Sequence, residues 1–429
     1  MSRSGRWSQW RWTLAPESPG APPPASNAVL LVSARFVSDV GAFLNMVALS
    51  TYVYLQSQNA IMVGLFLACR VGGGIAASLM GTVFFRRFPG RAPLVVLDGI
   101  RAGAIAVLLL LPSELHVPVL PFIALALGLC NSLFSIGLNS QLPTLVRQEL
   151  LMKVNAWLTS VSSLGMVLGS LASGLLIALA SYQAVFAINV LTYLVAGLLI
   201  LPLRLDGSAA GSRSRGSSYL DEWRQLRVGL RALPVLASML LVTMFDTLGS
   251  AAHNVGFPVL ARLIDAQGAA RVMGFLLACW AIGKFTGARL ASSLGRRAPR
   301  TEPWLERMFF AGVVMMSAGF ILCFRQDSLP LLLPFAALAG LGDGLAEVSL
   351  VSRAQRTSDE LRLPIFSLLT LMQMVGFGIG MLISAPFFEW MSPAGVVSLF
   401  HGLPLLAVAI IGLRLLTAGR RPKLGVEAS

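Results

Sequence analysis

The chain has 429 residues, of which 56% are hydrophobic and only 12% charged, about half the charged share of a soluble domain. That composition excludes an ordinary soluble enzyme. Lys and Arg outnumber Asp and Glu by 33 to 19, a net charge of +14, which would fit a nucleic-acid partner only if the basic residues shared one surface.

Residues 1–27 carry Arg3, Arg6, Arg11 and three Trp residues before a proline-rich run from Pro16 to Pro24. They contain no apolar core of the kind a cleaved signal peptide needs, so they read as a cytoplasmic tail. Twelve blocks of about 20 mostly apolar residues, the length that crosses hydrocarbon, then follow. They lie at 28–55, 60–85, 92–112, 117–140, 155–180, 183–203, 233–258, 269–294, 306–324, 329–352, 364–386 and 393–416. Most connections are a few residues long, so consecutive spans form helical hairpins. The exception is 204–232, where the Gly/Ser-rich run from Gly207 to Ser218 has the composition of a flexible linker. Tyr219 to Arg231 continues it as a charged amphipathic stretch around Trp223, suited to a membrane surface. The predicted organisation is an N-terminal six-span half at 28–203, a cytoplasmic linker at 204–232, a C-terminal half at 233–416 and a cytoplasmic tail at 417–429.

With the N-terminus inside, most Lys and Arg residues fall in cytoplasmic segments, and the external loops hold only Arg262, Arg271 and Arg325. This asymmetry follows the positive-inside rule with both termini cytoplasmic. Spread over many short loops, the charge does not form a nucleic-acid surface. Cys69, Cys130, Cys279 and Cys323 sit in apolar spans without metal or redox spacing, so packing is their predicted role and no metal or cofactor is expected. Gly283-Lys284 is followed by Phe285 and lacks the upstream glycine of a P-loop, which removes nucleotide hydrolysis as an energy source and leaves a non-enzymatic reading.

The two halves repeat. Gly64-Leu65-Phe66-Leu67-Ala68-Cys69-Arg70 in span 2 matches Gly274-Phe275-Leu276-Leu277-Ala278-Cys279-Trp280 in span 8, and the same offset aligns Arg86-Arg87 with Arg296-Arg297. Spans 4 and 10 align through Leu127-Gly128-Leu129-Cys130-Asn131 and Ala339-Gly340-Leu341-Gly342-Asp343. Two parallel six-helix halves can rock about a midplane site and expose it to each side in turn.

With these features the chain resembles the major facilitator superfamily of secondary transporters over about residues 28–416. Gly81 to Arg91 resembles the superfamily's loop signature, keeping Arg86, Arg87, Gly90 and Arg91, with Phe85 where an Asp is expected. Gly295-Arg296-Arg297 is its counterpart in the second half. Ser38-Asp39-Val40-Gly41, Asp98-Gly99-Ile100-Arg101, Leu142-Pro143-Thr144-Leu145-Val146 and Asn155-Ala156 are similar to the exporter branch that includes the enterobactin exporter. The run from Gly165 through Gly169 to Gly174 resembles the antiporter motif, with Ser170 replacing its Pro. The resemblance implies an all-α integral membrane protein of twelve transmembrane helices in two pseudo-symmetric bundles. It also implies a central cavity lined by spans 1, 4, 7 and 10.

Ionisable groups inside spans are costly in hydrocarbon and usually face a cavity or a partner. Asp39, Asp98, Asp246, Asp343 and Glu347 are the acids there. Asp343 and Glu347 stack one turn apart, and the repeat sets Asn131 and Ser135 at the corresponding positions of span 4. The predicted substrate and proton-coupling residues are Asp39, Asn45, Asn131, Ser135, Asp246, Asp343 and Glu347. A packing role is the competing reading, with Asp343 or Glu347 paired to Lys284 or Arg70 and Asp39 paired to Arg35 four residues before it. Asp98 and Arg101 are expected to form a gate or packing pair beside the basic loop of Arg86, Arg87, Gly90 and Arg91, with Gly295, Arg296 and Arg297 as the equivalent inner loop. His253, followed by Asn254 on span 7, is a candidate proton relay or a simply hydrogen-bonded histidine. Gly165-x-x-x-Gly169 and Gly376-x-x-x-Gly380 allow close helix approach, with hinge motion during alternation as the competing reading.

The expected function is proton-coupled export of a small amphipathic or cationic molecule, the cationic preference resting on the excess of intramembrane acids. The expected partners are that substrate, protons and the lipid bilayer, with the protein a monomer in the cell (inner or plasma) membrane. The alternatives are a uniporter or importer, and a transporter-like sensor or scaffold that moves nothing.

Overall fold

The structure is a computed structural model that describes residues 25–57, 60–146, 148–203, 219–265, 269–297 and 302–419. The predicted N-terminal tail up to Pro24, the Gly/Ser run of the linker and the last ten residues lie outside these. The described residues form thirteen α-helices and no strands: α1 (Ala25–Ser57), α2 (Ala60–Arg87), α3 (Ala92–Leu110), α4 (His116–Leu145), α5 (Leu151–Leu179), α6 (Tyr182–Ile200), α7 (Tyr219–Ala232), α8 (Pro234–Ile264), α9 (Ala269–Arg297), α10 (Glu302–Cys323), α11 (Leu329–Ala354), α12 (Asp359–Trp390) and α13 (Pro393–Gly419).

Twelve are long, matching the twelve predicted spans, and α7 is the short amphipathic helix, with Leu226 buried and Arg224, Arg227 and Arg231 exposed. Among the described residues, eleven helices have the length and apolar composition to cross a membrane. The remaining long helix, α9, carries Lys284 and Arg289 toward its middle, which lowers its apolar character. Large apolar side chains stay exposed along these helices, including Leu110, Phe122, Leu171 and Leu382. Faces of that kind require lipid rather than water. Pro121, Pro143, Pro258, Pro334 and Pro404 sit inside helices, as neighbouring helices allow within a bilayer. Helix starts obey ordinary rules: the Ser181 hydroxyl caps α6 by accepting from the Ala184 N–H at 3.2 Å, and Pro93 and Pro234 open α3 and α8.

The chain divides into two compact units, one of residues 1–223 with 354–367, the other of 224–353 with 368–429. In the first, α1 packs on α5 and α6, α2 on α4, and α3 on α4 and α6. In the second, α8 packs on α9, α10 and α13. Lipid supplies no hydrophobic drive between helices, so close backbone approach does much of the work. The internal repeat is visible in that packing. A Cβ on Gly128 of α4 would overlap the Arg70 carbonyl of α2, and one on Gly73 would overlap the Leu125 carbonyl. In the second unit the repeat-related Gly340 meets the Trp280 carbonyl, and Gly283 meets that of Ala337. The same two glycine contacts therefore fasten α2 to α4 and α9 to α11.

Between α2 and α3, Gly90 has φ +90° with nothing within 4 Å of the position a Cβ would take. Only the backbone penalises a side chain there. Gly90→Ala is expected to cost about 1–2 kcal/mol, whereas Gly99→Ala, also in open space but inside α3, is expected to stabilise by up to about 1 kcal/mol. Thermal unfolding of the two variants in detergent checks the contrast, and equal shifts would contradict it.

Candidate functional site

In the first unit a polar cavity of about 170 Å³ is lined by residues of α1 to α5, with three guanidinium groups, Arg35, Arg70 and Arg101, and one carboxylate, Asp39. Asn131 and Ser135 of α4 line it too. Helical spacing explains the first pair: Arg35 and Asp39 are one turn apart, and Arg35 Nε donates to Asp39 Oδ2 at 2.7 Å. Arg101 is held more fully. Its Nη2 pairs with Asp98 one turn earlier, while Nη1 donates to Asn131 Oδ1 at 2.9 Å and to Ser38 Oγ at 3.3 Å. The guanidinium lies over the rings of Phe134 at 4.6 Å and Tyr193 at 4.7 Å, an arrangement that suits its planar delocalised charge.

Asp98 and Arg101 are thus nearly fully buried, and Arg101 lines the cavity. Phe43 and Asp39 meet glycines of α5: a Cβ on Gly165 would lie 3.0 Å from Asp39 Cβ, and one on Gly169 would lie 3.1 Å from Phe43 Cβ. These two positions of the antiporter-like run bring α5 against the cavity stretch of α1, and Gly174 lies farther along α5. Asn45 is buried on α1, outside the cavity lining, with its Oδ1 unbonded.

The second unit holds an acid–lysine cluster. Lys284 of α9 places Nζ 2.7 Å from Glu347 Oε2 and 3.0 Å from Asp343 Oδ2, both on α11. Its ammonium also lies 5.5 Å from the Trp280 ring centroid. Gly344 packs on the Lys284 carbonyl, which seats this turn of α9 beside the acids. Asp246 of α8 lies within electrostatic reach of Asp343 and Lys284, and its buried Oδ1 has no hydrogen-bond partner among the described residues. Two carboxylates therefore hold one ammonium, with a third in electrostatic reach. The pairing with Lys284 that sequence offered as a packing alternative is present.

The basic loop is built partly for structure. Arg91 Nη1 donates to the Leu203 carbonyl at 2.6 Å, tying the start of α3 to the end of α6. Phe85, standing where the superfamily signature has Asp, is buried with its ring where a Cβ of Gly137 would go. An apolar plug replaces the acid. Arg87 is exposed, and the side chains of Arg296 and Arg297 lie outside the description; Gly295 is buried at the end of α9. In the second unit Arg353 instead joins Glu302 and Glu306, each at 2.9 Å, linking α11 to α10.

Several polar contacts had no signal in the sequence because both partners are isolated residues on distant segments. His253 Nδ1 lies 3.0 Å from His401 Nε2, and His401 Nδ1 lies 3.4 Å from Ser317 Oγ, with His253 stacked on Phe320. Asn254, beside it, is exposed and donates to the Ser250 carbonyl. Within the first unit, Gln355 accepts from Asn155 at 2.6 Å and donates to the Asn139 carbonyl at 3.2 Å, and Thr82 and Ser367 hydroxyls lie 3.1 Å apart. The four cysteines are free.

The model of the Major Facilitator Superfamily matches residues 31–305, well over half of the chain. The chain belongs to the Major Facilitator Superfamily. Among solved structures, the superfamily transporter FucP in the outward conformation is similar with a TM-score of 0.72 at 14% identity, over 90% of this chain and 99% of that one. A bacterial homologue of the iron transporter ferroportin in the outward-facing state gives 0.70 at 14% identity, covering 92% and 100%. The proton:xylose symporter XylE bound to 6-bromo-6-deoxy-D-glucose gives 0.67 at 14% identity, covering 90% and 94%. No curated protein sequence matches the chain. At these identities the likeness is one of fold: a multi-pass membrane protein with a superfamily transporter's architecture.

Proposed function

We propose that this superfamily member is a proton-coupled secondary transporter that exports a small amphipathic molecule by alternating access. It acts as a monomer in the cell membrane with both termini and the 204–232 linker cytoplasmic. The acid–lysine cluster carries the reading. Asp343 and Glu347 hold Lys284 together, with Asp246 close by, so one carboxyl can take up a proton while another keeps the ammonium paired. A proton enters and leaves without exposing an uncompensated charge to hydrocarbon, as a carrier site inside a membrane requires. Export is favoured by the exporter-like stretches at Ser38–Gly41 and Asp98–Arg101 and by the antiporter-like Gly165, Gly169 and Gly174. Import by symport is the second reading, favoured by two neighbours described as proton symporters of sugars.

The polarity of the driving gradient separates the two. Proteoliposomes carrying the protein are offered a mixed metabolite extract, and trapped solutes are identified by mass spectrometry against protein-free controls. Antiport predicts that a solute accumulates when the lumen is acidic and that a protonophore abolishes the effect. Accumulation only with acid outside establishes symport, entry that stops at the external concentration and is indifferent to both establishes uniport, and no entry in any condition supports a sensor.

A further inference from the structure

The first unit's cavity has a charge balance opposite to the one that a count of intramembrane acids implies. Of its three arginines, Arg35 is paired with Asp39, and Arg101 with Asp98. Arg70 has no carboxylate and no hydrogen bond among the described residues, and its Nη1 is buried. A guanidinium stays charged in any protein setting, and an uncompensated one inside a membrane is strongly disfavoured. The backbone nevertheless fixes it there, because α2 is fastened to α4 at the Arg70 carbonyl by Gly128. If Arg70 served packing alone, an acid would be expected against it.

We propose that the cavity lined by Arg35, Arg70 and Arg101 binds a carboxylate of the transported molecule, with Arg70 as the guanidinium that receives it. The polar wall is completed by Asn131, while Phe43 and Phe134 give the attached hydrocarbon an apolar surface. At about 170 Å³ the cavity is smaller than a site for a whole drug-sized ligand. It holds the anionic end of the substrate. An arginine fork takes a carboxylate through two parallel hydrogen bonds, a geometry that a neutral or cationic group does not reproduce. The substrate is then an amphipathic organic anion, not a cation. This assignment rests on the transporter reading only in calling the ligand a substrate.

The test uses the full-length protein purified in detergent and three molecules of nearly one shape: benzoate, the neutral benzamide and the cationic benzamidine. Thermal unfolding and equilibrium binding of radiolabelled benzoate are measured. Benzoate is expected to raise the melting temperature with dose, and the other two to leave it unchanged. Arg70→Gln is expected to weaken benzoate about tenfold or more, and to raise the ligand-free melting temperature by removing a buried unpaired charge. Arg70→Lys, which keeps the charge and loses the fork, falls between. Stabilisation by benzamidine equal to that by benzoate, no effect of benzoate, or undiminished binding in Arg70→Gln would each overturn the proposal. Binding needs no gradient, so its failure leaves proton coupling standing, and a failure of coupled transport leaves the anion site standing.

Discussion

Lys284→Met is expected to destabilise the protein by about 3 kcal/mol or more, the usual cost of leaving buried charges without their partner. The variant leaves Asp343 and Glu347 one turn apart on α11, with Asp246 nearby, and no cation between them. Glu347 keeps 38% of its side chain exposed and Asp343 only 16%, so Asp343 bears most of the loss and screening holds the total toward the lower end. The same reasoning predicts rescue: Lys284→Met combined with Asp343→Asn and Glu347→Gln removes the charges together and is expected to recover most of the stability. Neutralising both acids alone is a poor test of coupling, since it strands Lys284. Glu347→Gln by itself keeps one carboxylate on the lysine and is expected to fold normally while losing pH-driven accumulation. Melting temperatures from fluorescence-detected size exclusion check the series, and a Lys284→Met protein as stable as the parent would contradict it.

Arg101→Met is expected to be at least as severe, about 3–5 kcal/mol, because its surroundings are drier. Asp98 is 1% exposed and Arg101 3%, so the stranded carboxylate has no solvent to turn to. The variant also gives up the bonds to Asn131 and Ser38 and the stacking between Phe134 and Tyr193, the latter worth about 1–2 kcal/mol in a desolvated site. Arg101→Lys does not rescue, since an ammonium cannot serve Asp98 and Asn131 from a planar fork between two rings. Asp98→Asn with Arg101→Met is expected to recover part of the loss, and the coupling energy from that double-mutant cycle measures the pair. A coupling near zero would place Arg101's role in the ring contacts.

These two sites show where sequence reasoning reaches and stops. Crossing hydrocarbon demands some twenty apolar residues in a row, so all twelve long helices are legible, and only their ends move by a few residues. The repeat is legible because glycine at matched positions allows matched backbone contacts, as Gly128 and Gly340 do. Ion pairs within one helix follow from spacing alone, as with Arg35–Asp39 and Asp98–Arg101. Pairs between helices do not. Nothing local selects Lys284 as the shared partner of Asp343 and Glu347, or joins His253 to His401. Counting intramembrane acids favours a cation, but that count does not show that the acids of the second unit hold a lysine, or that among the described residues Arg70 of the first unit has no carboxylate. Phe85 departs from the family signature, and its place is set by packing that the signature does not encode, its ring lying against Gly137.

Proton coupling requires that the carboxylates around Lys284 take up a proton. Infrared difference spectra of the purified protein, recorded as pH is lowered, report the C=O stretch of carboxyl groups that become protonated in a dry site. Such a band is expected in the parent protein and is expected to disappear in the variant combining Lys284→Met, Asp246→Asn, Asp343→Asn and Glu347→Gln. A band that titrates identically in both proteins would contradict it.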